Sequence, residues 1–248
     1  MSFLPAKTIP RFVPLLFLSC LSAAIGCSGS KVTTQASSEL PRYQVRTLAL
    51  LPFTTMATPQ VADNLDMYLS SPQSVRRSDI SMGVPLAGEP SIRQTLRVPP
   101  YAAEKITQLF WSRLKDRKQV AVLSPGQSAR AVVKPAEEGR VTLEAQAAAV
   151  AKALKADVAL LGQVLVYQER VGGKLGANPP ASVGFEVKAV SADGLVLWVG
   201  NYYERQKPLT QDFIGYFQHG GVFVTADDLA AYGVNAVLKE FPFGASED

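Results

Sequence analysis

The sequence predicts an α/β fold: a single domain with a mixed β-sheet, in the order β-α-β-α-β-β-β-α, flanked by helices and carrying a long insertion after the first strand. Three observations predict it. Leu48-Ala49-Leu50-Leu51 is a short apolar run of the kind found in strands buried on both faces. Helical stretches separate this run from the next two strands, and crossovers of that length suit parallel pairing. The last three strands follow one another directly, with Asp193-Gly194 as a tight turn, which suits an antiparallel meander. Composition agrees with a packed domain. Across 248 residues the hydrophobic share is 47% and the charged share 19%, too apolar and too weakly charged for a disordered chain.

The N-terminus reads as a processing segment. Lys7 and Arg11 form a positive region, and the apolar stretch from Phe12 to Ile25 falls short of the roughly 20 residues a spanning helix needs. Ala24-Ile25-Gly26-Cys27, followed by Ser28-Gly29-Ser30, resembles the lipobox of bacterial lipoprotein signal peptides, in which cleavage before the cysteine leaves a lipidated N-terminus. Cys27 is therefore the expected lipidation site. An ordinary secretory signal with a chance cysteine is the other reading, and Cys20 fits worse because its apolar region would be cut short. On this reading residues 1–26 are a signal peptide, and removing them lowers the formal charge from +4 to +2. Ser28 after the cysteine resembles the sorting pattern of outer-membrane lipoproteins.

Residues 27–41 are expected to be the lipidated cysteine and a flexible tether, from their Ser and Thr content. The α/β domain is expected over 42–244. Its first strand, from Tyr43 to Phe53, is closed by Pro52. The insertion, 54–100, carries six prolines and no clear periodicity. Pro100 opens a helix on which Ala103, Ile106, Phe110 and Leu114 repeat at helical spacing. A short strand over Gln119–Leu123 follows, then an Ala-rich helix from Thr142, as cap, to Lys155. Asp157–Gln168 reads as a strand. Val171–Pro180 is a Gly- and Pro-rich hairpin excursion. Ser182–Val190 alternates, with Val183, Phe185, Val187 and Ala189 on one face. Leu195–Tyr203 returns, with Leu195, Leu197 and Val199 expected opposite Val196, Trp198 and Tyr202. Thr225 with Asp228 resembles a capping box opening the last helix, which Pro242 ends.

The inventory of reactive groups is thin. Two cysteines and one histidine are too few for zinc fingers, iron–sulfur cages or a disulfide scaffold. His219 lies beside a turn in Gln218-His219-Gly220-Gly221 and reads as a solvated loop residue. Asp227-Asp228 sits where a helix N-terminus favours negative charge, and Glu137-Glu138 reads as solvated. Gly172-Gly173-Lys174-Leu175-Gly176 lacks the phosphate-loop spacing and precedes a strand, not a helix. No catalytic residue, cofactor, metal or small-molecule substrate is expected, and the mild charge argues against nucleic acid. A Ser/Lys hydrolase has no tell-tale spacing for or against it. The aromatics Trp198, Tyr202, Tyr203, Phe213, Tyr216, Phe217 and Phe223 cluster near the C-terminus. They read either as core or as a contact surface, with Trp198, Tyr202, Tyr203, Tyr216 and Phe217 as the candidate contacts.

Cys27 with its preceding residues, Leu50-Leu51-Pro52-Phe53, the stretch Ala156–Val164, and the hairpin from Phe185-Glu186-Val187 through Asp193-Gly194 to Leu197-Trp198 carry a resemblance. Over roughly 43–240 the chain resembles bacterial envelope lipoproteins that share the fold of the TolB amino-terminal domain. That group includes curli-secretion channel lipoproteins and outer-membrane lipoprotein activators of peptidoglycan synthases. The 54–100 insertion departs from the compact form of that fold. The anchor, the tether, the thin reactive inventory and the two excursions point to a non-enzymatic protein, lipid-anchored at the periplasmic face of the outer membrane. Such a protein binds a protein partner or itself in envelope biogenesis or secretion. The alternative is a subunit of an oligomeric outer-membrane secretion channel.

Overall fold

The structure, a computed structural model, describes residues 31–58, 60–61, 95–131 and 142–244. The signal peptide, Cys27, Glu137-Glu138 and most of the 54–100 insertion lie outside the described residues.

The predicted first strand lies one in from an edge of the sheet. Strand β2 (Thr47–Leu50) pairs in parallel with β6 (Ala121–Leu123) on one side and β7 (Val158–Gln168) on the other. From β7 the sheet continues antiparallel through β10 (Ser182–Ser191) to β11 (Val196–Arg205). The order is β1-β11-β10-β7-β2-β6, where β1 is Val32–Ala36 and β3 (Thr54–Thr55) pairs in parallel with β7. This is the mixed α/β sheet that the two crossovers and the meander predict.

Strand β1 corrects the tether expected over 27–41. Val32–Ala36 lies antiparallel on β11, and residues 31–248 belong to one unit. The physical reason is that β1 is an edge strand. Its side chains are largely exposed, and main-chain hydrogen bonds hold it, so its polar composition gives no alternation to read.

Of the insertion expected over 54–100, Thr54–Thr55 is already β3 on the main sheet, and β4 (Gln60–Val61) pairs with β5 (Thr95–Leu96). Helix α1 then spans Pro100–Leu114, α2 Pro125–Arg130 and α3 Leu143–Leu154. Helix α2 is an addition to the sequence reading. Ser124, just past β6, closes a capping box with Gln127. The hairpin excursion is β8 (Gly172–Gly173) against β9 (Gly176–Ala177), and α4 (Phe213–Gln218) and α5 (Ala226–Lys239) complete the chain. None of the described helices is long and apolar enough to cross a membrane.

The helices sit on both faces. Helices α1 and α5 bury Ile106, Phe110, Leu229, Val234 and Val237 against Leu48, Leu50, Leu160, Val183, Phe185 and Val187. On the other face Ala147, Ala148 and Ala151 of α3 pack with Ala159, Leu161 and Val190, small side chains letting helix and sheet approach closely. Both capping expectations hold in the structure. Thr142 Oγ1 accepts from Ala145 N at 3.2 Å, and Thr225 and Asp228 form a reciprocal box. Such caps contribute about 1 kcal/mol each.

The predicted facing of the last strand holds only in part. A register shift opposite Ala189 and Val190 turns Leu197 into the same core as Trp198, and Leu195 is left exposed. Within that core runs an aromatic line. Phe110 meets Phe53 at 5.0 Å and Phe185 at 5.8 Å, and Phe185 meets Tyr202 at 5.4 Å between ring centres. The line ends beneath α5 at Gly233, where an added Cβ would come to 2.3 Å from the Tyr202 ring. Glycine there lets the helix settle onto the tyrosine.

Candidate functional site

Trp198, Gly200, Tyr202 and Glu204 share one face of β11, because side chains alternate along a strand. The pattern that buries Trp198 and Tyr202 thus also carries a carboxylate inward. A buried carboxylate is costly unless paired, and here three chain segments converge to pair it. The Tyr202 hydroxyl donates to Glu204 Oε2 at 2.6 Å. On the other oxygen, Oε1, His219 Nε2 lies at 2.7 Å and Lys31 Nζ at 2.8 Å. The Glu204 and His219 side chains are only 4% and 5% exposed.

His219 is therefore not the solvated loop residue the sequence suggests. It caps the C-terminal end of α4, and the turn behind it needs two left-handed residues, Gly220 and Gly221, both at φ 72°. The His219 ring stands edge-on to Tyr232 of α5, and Lys31 also donates to Gln218 Oε1 at 2.8 Å. Buried Gln206 stitches the same region: its Nε2 donates to the Val222 carbonyl and its Oε1 accepts from Val224 N.

The electrostatics follow from this geometry. Burial opposes ionisation of Glu204, but the hydrogen bonds from His219, Lys31 and Tyr202 outweigh it and hold the carboxyl at about 2. Burial, reinforced by the Glu204 carboxylate, pushes the Tyr202 hydroxyl well above the usual range. A general acid wants a carboxyl near the working pH. Glu204 is driven the other way, with both oxygens engaged, so this group acts as a latch joining β1, β11 and α4.

A second ionic group fixes the start of α5. Tyr167 and Lys105 both bond the Asp227 carboxylate, and Glu169 Oε2 accepts from Ala226 N at 3.1 Å. With Asp228 in its capping box, the Asp227-Asp228 pair serves the helix N-terminus. Among the described residues no cluster of His, Cys, Asp and Glu is arranged to hold a metal ion.

The candidate contact aromatics divide. Trp198 and Tyr202 are core residues, and the contact role expected for them is withdrawn: Trp198 packs on Phe241 and Tyr202 on Phe185. Tyr216 is half-buried against Phe223. Tyr203 and Phe217 are exposed, and Cys27 lies outside the described residues. The structure adds neighbours that the sequence reading did not single out as contacts. Beside Phe217, 56% exposed, Phe213 and Ile214 on α4 are 65% and 55% exposed, and Leu209 just before them is exposed too.

Tyr203 belongs to a different surface. Its ring lies over Gly184, and beside it the rows Thr33–Asn201–Glu186–Gln163 and Gln35–Val199–Lys188 cross β1, β11, β10 and β7. Lys188 pairs with Glu144 near the start of α3, and with Glu186. Past that helix, this half of the sheet face is not sheathed by any described helix.

No family model matches the chain, and no curated protein matches it. Solved structures do resemble it. One is a PelC dodecamer from Paraburkholderia phytofirmans, with TM-score 0.42 and 11% identity, covering 84% of this chain and 93% of that one. Another is the LpoB C-terminal domain from Salmonella enterica, with TM-score 0.33 and 10% identity, covering 66% and 84%. A third is the lipoprotein GNA1162 from Neisseria meningitidis, with TM-score 0.34 and 13% identity, covering 79% and 96%. At these scores the likenesses assign no family, partner or oligomeric state to this chain.

Proposed function

We propose that this chain is a lipid-anchored protein at the periplasmic face of the outer membrane. It works without catalysis, by binding a protein partner or further copies of itself in envelope biogenesis or secretion. The lipobox-like segment ending at Cys27 supports the anchor. Binding is supported above all by the sheet face around Tyr203, which no described helix covers. A solvated face is ordinary for the antiparallel half of a sheet, but here a 54% exposed tyrosine stands on that face among mixed polar and apolar side chains. Non-obligate interfaces have that mixed character, with tyrosine enriched. The strongest candidate for chemistry, the Glu204–His219–Lys31 group, is already satisfied internally.

The test is Tyr203→Glu in the acylated chain. Exposure of Tyr203 means the melting temperature should hold, while recovery of the crosslinked partner or second copy should fall sharply. Unchanged recovery overturns this face as the binding surface.

A further inference from the structure

We propose that the outward face of α4 rests on the bilayer that holds the lipid anchor, so that a lipid surface covers Phe213, Ile214 and Phe217. The inference rests on the Cys27 anchor of the reading above and assigns a surface distinct from the Tyr203 face.

Three observations carry it. First, the exposed side chains share one side of the helix: positions 213, 214 and 217 are neighbours at helical spacing, while Gly215 is buried and Tyr216 turns toward Phe223. Second, the anchor is close by covalent necessity. Only Ser28, Gly29 and Ser30 separate Cys27 from Lys31, at most about 14 Å of extended chain. Lys31 itself is fixed to the end of α4 through Gln218 and to the buried Glu204. The spacer therefore leaves the chain beside this patch, with no long tether to carry it away. Third, the local charge suits a membrane surface. Lys207 is exposed, and Asp212, which keeps its charge, is turned back onto the helix start, accepting from Gly215 N at 2.8 Å. Aromatic side chains flanked by a cation favour the headgroup boundary.

The experiment uses the mature acylated chain in vesicles of phosphatidylethanolamine and phosphatidylglycerol. Cys20 leaves with the signal peptide and acylation caps the Cys27 thiol, so an introduced cysteine is the free thiol that takes a nitroxide label. Labels go on Phe213→Cys, Ile214→Cys and Phe217→Cys, the three sites guarding against one that fails to fold. Asp193→Cys is the control, in the turn at the opposite end of β11, about 30 Å along the strand. Power-saturation resonance then reads collisions with oxygen, which concentrates in lipid, and with a water-soluble nickel chelate. The α4 labels should favour oxygen and the Asp193→Cys label should favour nickel, an inversion between the two ends. Nickel dominance at α4 overturns the proposal while leaving partner binding at Tyr203 intact. Protection of the α4 labels from both reagents also overturns it, because a protein then covers the helix. A purified chain without acyl groups on Cys27 overturns the anchor, and both readings lose it.

Discussion

Glu204 and His219 meet at 2.7 Å inside the fold, one from the last strand of the meander and the other from the loop that follows α4. With Lys31 on the same carboxylate oxygen, this contact ties strand β1 and the exposed apolar helix to the core. The latch explains how a six-residue helix with three exposed large apolar side chains keeps one position. Isolated helices that short do not hold themselves together.

Removing the acceptor should unfasten all three segments. Glu204→Ala leaves His219, Lys31 and the Tyr202 hydroxyl without their shared partner. Breaking a buried ion pair on one side costs about 3–5 kcal/mol. Urea denaturation should show a loss of that size, and hydrogen exchange around 213–222 should accelerate with it. A loss below about 1 kcal/mol would mean the latch is not structural.

Acid should act through the same group. The Glu204 carboxyl is held at about 2 in the fold against 4.5 ordinarily, so the folded state binds its proton less readily than the unfolded one. Its stabilisation is therefore complete above about 4.5 and is lost as pH falls from there toward 2. Unfolding free energy measured across that window should decline, and Glu204→Gln should flatten the decline. An equally steep acid limb in the variant would locate the effect elsewhere.

Two glycines should respond in opposite directions. At Gly233 an added Cβ would come to 2.3 Å from the Tyr202 ring, whose hydroxyl is pinned by Glu204. Overpacking of this kind costs about 1–3 kcal/mol, more than the helix-propensity gain of up to about 1 kcal/mol. Gly233→Ala should therefore destabilise. Gly126 in α2 has open space around it, and Gly126→Ala should stabilise by about 0.4–1 kcal/mol. Thermal melts of the two variants check both signs.

Strand β1 makes its own prediction. Alternate amides within Val32–Ala36 should exchange slowly, because the strand is paired along β11 from Tyr202 to Trp198. Free-chain exchange rates over these residues would restore the tether and remove the short lever between anchor and domain.

Much of the framework is legible because it rests on local or periodic signals. The spacing of Ala103, Ile106, Phe110 and Leu114 marks α1, and Thr142 and Thr225 with Asp228 announce helix starts. The Asp193-Gly194 turn fixes the meander. What escapes reading depends on distant partners. Strand β1 is held by main-chain pairing that its exposed side chains do not report. His219 looks solvated because its acid lies on another element, and Lys31 lies at the opposite end of the chain from Gln218. One signal was available: the alternation that sends Trp198 and Tyr202 inward sends Glu204 inward as well, and an inward carboxylate demands a cation or imidazole. Helix α4 was hidden for another reason. Its apolar residues are the ones left outside the core, so a search for buried periodicity passes over them.

The central claim, a membrane-held protein that works by contact, is tested most directly by photo-crosslinking from position 203 in intact cells. A photoreactive amino acid there, followed by mass spectrometry of the adducts, should yield a discrete protein adduct, another polypeptide or a second copy of this chain. A control at the Asp193 turn should yield none. An acylated, folded chain that gives no adduct from position 203 would contradict the account.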